Sequence, residues 1–466
     1  MVYDKVIIVA FLTRKLQLSG LKSNGKSKII AIGPRELLVE EHVVDCFYEV
    51  QGISNIHKYP KNTVINLIEK VREVITSYCT LQTYLISFEK FLEKDIATLR
   101  SEMNLTGLST DVINQLSSFK NLKAQFKKMD LQPVKYTILG NRNCDNPEIV
   151  ATLASEYLDH TPLILKPLCK LNKYCVSNTF IVRNDKELEK WMQVTINNDY
   201  IAEEFLINSH EFVALCSNLY GLIGAVLTLR ENLSLNLLIR KGKPYPIEYL
   251  GVEQIRDNFP GLESFISQAR KGPFLKNLKE LFFIKGFYED QNNIRCHNMY
   301  FDLRSESFAS LIKYANHGKT WETISIEVIQ DSYEFFDTKQ HHLEYPISFQ
   351  YSYTIMINFP NIEGLLIHQN KITEVDSKLI VFWKKVEGKE MNNAANEDDN
   401  ILQLFLKNNN RQTILNDTKN ILGKMVIDID RSINSSKLER IRRSLPFVET
   451  VPNKPFVRRS TLAHCA

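Results

Sequence analysis

Apolar positions in the first 118 residues switch between two periods. Residues 6–12, 27–32 and 42–48 are compact runs rich in β-branched and apolar side chains, which predict strands. Over 62–78, Val64, Ile65, Ile68, Val71, Val74 and Ile75 recur at the spacing of one helix face. Residues 83–86 then read as a strand and 89–104 as a helix. Strands alternating with helices predict a small α/β domain with a parallel sheet. The turn after the first strand is Leu12-Thr-Arg-Lys15. It lacks the glycines of a phosphate turn, which argues against dinucleotide binding.

The middle of the chain mixes short strands with polar helices. Residues 119–129 read as a helix bearing Lys120, Lys123, Lys127 and Lys128, with Lys127 and Lys128 on a solvated face. A strand at 134–138 and a helix at 146–157 follow. The stretch 161–211 then opens with the apolar strand 162–165, which ends on Lys166-Pro167. A polar loop carrying Lys170, a strand at 179–182 and a helix at 185–194 come next. The strand 200–202 runs into Glu203-Glu204-Phe205, with Glu211 a few residues on. A lysine at one strand end and carboxylates at another suit a nucleotide. The ammonium would neutralise phosphate, and the carboxylates would accept from base and ribose.

Downstream, antiparallel strands are expected at 212–215, 221–229 and 233–239. A Pro- and Gly-punctuated excursion spans 241–275, with one helix at 261–269. Residues 277–287 read as a helix, and 293–303 as a strand paired with 309–314 through a hairpin at 304–307. A helix follows at 320–337. Beyond 343 the pattern is β-rich (347–358, 364–368, 378–385), closed by an amphipathic helix at 411–427. The final stretch carries Arg440, Arg442, Arg443, Arg458 and Arg459 and reads as a helix and a loosely held tail. The expected divisions are 1–118, 119–202, 203–342, 343–430 and 431–466.

Composition narrows the class. Of 466 residues, 44% are hydrophobic and 24% charged, a globular balance. A net charge of +4, from 58 basic against 54 acidic residues, is too mild for a nucleic-acid partner. No apolar run approaches the roughly twenty residues of a membrane span, and Asp4 and Lys5 make a poor signal-peptide flank. Eight cysteines without a CxxC pair indicate neither a zinc site nor a disulfide framework; reduced thiols place the chain in the cytoplasm.

With these elements in order, the chain resembles the ATP-grasp superfamily over residues 80–345, in particular the carboxylate–amine ligases of amino-acid and dipeptide type. Residues 93–107 and Ser118-Phe-Lys120 resemble the linker and first phosphate-lysine segment. Leu163-Ile-Leu-Lys-Pro167 resembles the strand of the second lysine, Ile201-Ala-Glu-Glu-Phe205 the adenine hinge, and Ser209-His-Glu211 the ribose segment. Residues 294–301 and 311–318 occupy the two strands that carry metal ligands in that family. The resemblance implies that ATP phosphorylates a carboxylate and that an amine attacks the acyl phosphate. It also implies Mg²⁺ between the phosphates and a glycine-rich loop over the nucleotide.

The sequence departs from that pattern twice. The loop 167–175 contains no glycine; Lys170 and Lys173 would supply charge in place of backbone donors. Met299 stands where a carboxylate ligand is expected and Lys313 where the second glutamate should be, and neither side chain suits magnesium. Asp302 supplies one ligand if the register shifts. The expected nucleotide residues are therefore Lys120, Lys166, Lys170, Glu203, Glu204, Phe205 and Glu211, with Arg295 facing a substrate carboxylate. Cys296 and His297 are adjacent on a strand and point to opposite faces, so they do not form a nucleophile–base pair. Two functions are consistent: an ATP-dependent ligase with amino-acid-like substrates, possible as a homodimer, or a degenerate ATP-grasp protein acting as a nucleotide-binding or partner-binding module. The first requires magnesium chemistry; the second does not.

Overall fold

A computed structural model describes residues 3–21, 24–51, 61–139, 162–167, 180–184, 186–187, 191, 200–206, 209–229, 235–272, 274–275, 278–303, 305–333, 352–370, 372 and 374–431. The expected helix 146–157, the loop with Lys170 and the arginine-bearing end lie outside them.

The leading segment holds β1 (Lys5–Ala10), β2 (Leu16–Gln17), β3 (Ser27–Gly33), β4 (Leu38–Val39), β5 (Cys46–Glu49), α1 (Lys61–Ser77), β6 (Gln82–Ile86) and α2 (Glu93–Glu102). Four of these strands form a parallel sheet ordered β5-β3-β1-β6. Central β1 is apolar from Val6 to Ala10 because both faces are covered. Val6, Ile8 and Ala10 pack with Leu67, Val71 and Ile96. Ile7 and Val9 join a second core that includes Phe283, Trp321 and Met356.

Next come α3 (Thr110–Ser117), α4 (Phe119–Lys128), β7 (Tyr136–Leu139), β8 (Leu163–Pro167), β9 (Phe180–Val182) and β10 (Tyr200–Glu204). The four strands make an antiparallel sheet, β7-β10-β8-β9. The body continues with β11 (His210–Ser217), β12 (Gly221–Thr228), α5 (Leu235–Arg240), β13 (Tyr245–Gly251), α6 (Val252–Asn258), α7 (Leu262–Ser267), β14 (Phe282–Asp290), β15 (Asn293–Tyr300), α8 (Glu306–Ala315) and α9 (Trp321–Ile329). The last elements are β16 (Tyr353–Pro360), β17 (Gly364–His368), β18 (Lys378–Trp383), β19 (Glu390–Met391), β20 (Asn400–Asn408), α10 (Arg411–Lys424) and β21 (Asp428–Asp430). An eight-stranded sheet, β15-β14-β11-β12-β13-β16-β20-β18, spans both groups, so strand pairing runs on across residue 343. The architecture is mixed α/β, as expected.

Four regions differ from the sequence reading. The expected surface excursion 241–275 with one helix instead holds β13, a buried strand inside the large sheet, followed by α6 and α7. Residues 277–287 were expected to be helical, yet β14 is a strand that starts in the buried run Phe282–Ile284. The expected strand 309–314 is α8, and no hairpin precedes it. Phe308, Leu311, Ile312 and Ala315 keep helical spacing, and the Ser305 side chain caps the start by accepting from Phe308 N. Residues 235–240 likewise form α5, with Leu235, Leu238 and Ile239 on one face.

Candidate functional site

Strand β10 is buried along its whole length, so its carboxylates need partners. Glu203 finds two. Lys123 reaches from α4 with its Nζ 3.0 Å from Glu203 Oε1, and His297 Nε2 lies 3.2 Å from Oε2. Lys123 also donates to the His297 carbonyl at 3.2 Å and lies over the Tyr136 ring. A bulge aims the histidine. Lys285 pairs with Asn298 and Gly286 with Cys296, leaving His297 as the extra residue, its ring edge-on to Phe287. Glycine is required at 286, because an added Cβ would come within 2.3 Å of the Arg295 carbonyl and 2.5 Å of the Phe212 ring.

The structure places the other expected residues less uniformly. Lys120 is exposed on α4, while Lys123 is fully buried one turn on. Glu204 accepts from Lys135 N at 3.0 Å, and Phe205 is buried with its N–H on the Pro162 carbonyl. Lys166 pairs in backbone register with Ile201, two residues before Glu203. The Arg295 guanidinium donates to the Gln132 side chain. It thereby fastens the link between α4 and β7, whose backbone also pairs with Cys296. Cys296 itself is buried in the core on the far face, and burial pushes its thiol up.

Glu211 lies on β11, where Oε1 accepts from Leu235 N at 2.7 Å and Oε2 sits 3.2 Å from Lys285 Nζ. Burial alone would push the Lys285 ammonium down, but the charges of Glu211 and Glu397 and the hydrogen bond to Glu211 together outweigh it and hold the group above its ordinary value. The cavity they share with Leu235 and Phe308 measures about 10 Å³, the space of one water.

The side chains present do not fit a magnesium shell. Met299 is 4% exposed and packs in the core opposite Ile284. Lys313 lies on α8 rather than on a strand, and its ammonium donates to Gln17. The expected pair of metal strands is thus a strand followed by a helix. Asp302 is buried after β15. Asn298 lies cross-strand from Lys285. Among the described residues no three His, Cys, Asp or Glu side chains gather to hold a metal. The cation that meets Glu211 is an ammonium.

The edge of the leading sheet is closed from within. After β1, the N–H groups of Leu12, Thr13 and Arg14 all donate to Glu89 Oε1, at 2.9, 2.8 and 2.7 Å. Three successive donors form an anion-binding concavity, and the chain's own carboxylate fills it. Sequence reading missed Glu89, whose signal was the glycine-free turn: a side chain can fill a nest that no ligand approaches. Arg14 then reaches across to the Leu303 carbonyl at 2.9 Å and to Glu322 at 3.1 Å, over the Trp321 ring.

Glu322 sits on α9, where every residue is buried. Burial pushes its carboxyl up to about 7, with Arg14 opposing. The folded state therefore holds this proton more tightly than the unfolded chain. The stabilisation is complete below the unfolded value near 4.5 and is lost as pH rises through about 7. Relative to Glu322→Gln, the native protein should lose on the order of 3 kcal/mol between pH 4.5 and 7.5. Paired thermal melts across that range measure it; parallel pH profiles for the two proteins would contradict it.

No family model matches the sequence, and no curated protein matches it. Solved structures do match in fold. An L-amino acid ligase from Bacillus licheniformis superposes with a TM-score of 0.55 at 10% identity, covering 92% of this chain and 100% of its own. Phosphoribosylglycinamide synthetase from Anaerococcus prevotii gives 0.52 at 14%, over 91% and 100%. N5-carboxyaminoimidazole synthetase from Staphylococcus aureus, complexed with ADP, gives 0.51 at 10%, over 91% and 98%. At such identities the likeness concerns the fold. The chain shares the fold of these structures, as the ATP-grasp resemblance led us to expect.

Proposed function

We propose that the chain is a nucleotide-binding module whose cleft, between β8–β10 and the β11–β14–β15 face, works without a divalent cation. The observation that carries this reading is the Lys285–Glu211 pair: the cation that meets a carboxylate expected at the nucleotide is an ammonium. Lys285 and Lys166 would meet phosphate, and the backbone of Glu203 to Phe205 the base. Lys120, exposed on α4, would add charge. Lys285→Gln should weaken ADP binding at least tenfold, since a charge-assisted contact is lost and Glu211 is left facing phosphate.

A second reading, ATP-dependent joining of a carboxylate to an amine, is favoured by the breadth of the fold match. The match spans 100% of the L-amino acid ligase and 92% of this chain. On that reading Arg295 would leave Gln132 to hold a substrate carboxylate. ADP release from ATP in the presence of pooled amino acids separates the two. The module reading expects release unchanged by added amine; amine-stimulated release would overturn it.

A further inference from the structure

A second cleft, away from the Glu203–His297 cluster, opens where the leading sheet meets the body. Its volume is about 670 Å³, within the range of small-molecule sites. One wall is β6, through Gln82 and Tyr84; the other is the β11–β12 turn, through Leu219. The floor is built from Arg270, Lys271 and Lys279.

Three observations give this cleft a ligand chemistry. The first is charge. Lys279 lies 3.3 Å from Asp331, which Lys5 also meets, and Lys271 lies 3.1 Å from Asp130. Among the described residues Arg270 meets only the Leu219 carbonyl, at 3.4 Å, so the three cations that line the cleft face two carboxylates, one of them also met by Lys5. The second is Tyr84, 3% exposed, whose buried hydroxyl has no hydrogen-bond partner among the described residues. Burial pushes this phenol up, so it stays a donor, and an orphaned buried donor calls for an acceptor. The third is size and lining. The space far exceeds that of an inorganic ion, and half-exposed Leu219, with Leu278, offers an apolar surface to an organic body.

We infer that this cleft is a binding site for a small phosphate ester, its phosphate held by Arg270, Lys279 and the Tyr84 hydroxyl and its organic part against Leu219. The site uses none of the residues of the nucleotide cleft, so it stands or falls separately from the reading above.

The test titrates the full chain with phenyl phosphate and with inorganic phosphate by calorimetry. Saturable binding of phenyl phosphate is expected below about 1 mM, tighter than inorganic phosphate. Tyr84→Phe, which keeps the ring and its packing, should weaken it at least tenfold, and so should the surface substitution Arg270→Gln. Saturating ADP should leave it unchanged. No saturation by about 10 mM, equal binding by both variants, no preference over inorganic phosphate, or displacement by ADP would each overturn the site.

Discussion

Lys123→Met should cost about 3–5 kcal/mol of stability, because it leaves Glu203 charged and buried without its cation. Methionine keeps most of the lysine's volume, so the loss reports charge rather than a cavity. Both partners are almost wholly removed from water, at 0% and 2% side-chain exposure, and His297 holds the remaining oxygen. The double variant Lys123→Met, Glu203→Gln should recover more than half of that loss, since a neutral amide tolerates the site better than an orphaned carboxylate. A chain of several subdomains does not unfold in one step, so amide exchange across β10 and α4 is the suitable readout. Unchanged protection in the single variant would show that the pair contributes nothing. The outcome also bears on function, because a lysine held this firmly is a joint between the two antiparallel sheets.

Glu89→Ala should be comparably costly. Three backbone donors, from Leu12 to Arg14, lose one acceptor together. Stranded buried donors cost about 1–3 kcal/mol each, and water entering the emptied space offsets part of the total, leaving about 3–5 kcal/mol. Arg14, positioned by the same turn, would lose its hold on Glu322 and Leu303. The specific check is rescue: formate supplies the missing carboxylate, and its binding to the folded state should raise the variant's melting temperature while leaving the native protein unmoved. A variant that melts like the native protein, or one indifferent to formate, would contradict the self-filled nest.

How far the sequence carried this picture depends on which force each residue answered to. The parallel leading sheet was legible because β1 and β3 are apolar on both faces, a pattern that only covered strands show. Strand β14 was not, because it opens on the fully buried run Phe282-Phe283-Ile284, and a short continuous apolar run does not separate a strand from a buried helix. Strand β10 and its carboxylates were legible from the run that ends in Glu203-Glu204. Their partner was missed on α4, where Lys120 was preferred. Yet Phe119, Leu122, Lys123 and Phe126 follow the spacing of one helix face, and a lysine inside an apolar stripe is the one that gets buried and paired. The bulge that turns His297 toward Glu203 left no mark beyond Gly286, whose need appears only when its neighbours across the strand are known. The place of Lys313 was not legible for a topological reason: residues 309–314 read as a strand, whereas they form α8, which carries Lys313 to Gln17.

The central claim is that an ammonium, not a metal, is the cation of this cleft. Calorimetric titration with ADP in excess chelator and again in excess magnesium tests it most directly. Affinities that agree within about twofold, with Lys285→Gln weakened in both, are the predicted result. Binding that appears only with magnesium would contradict it.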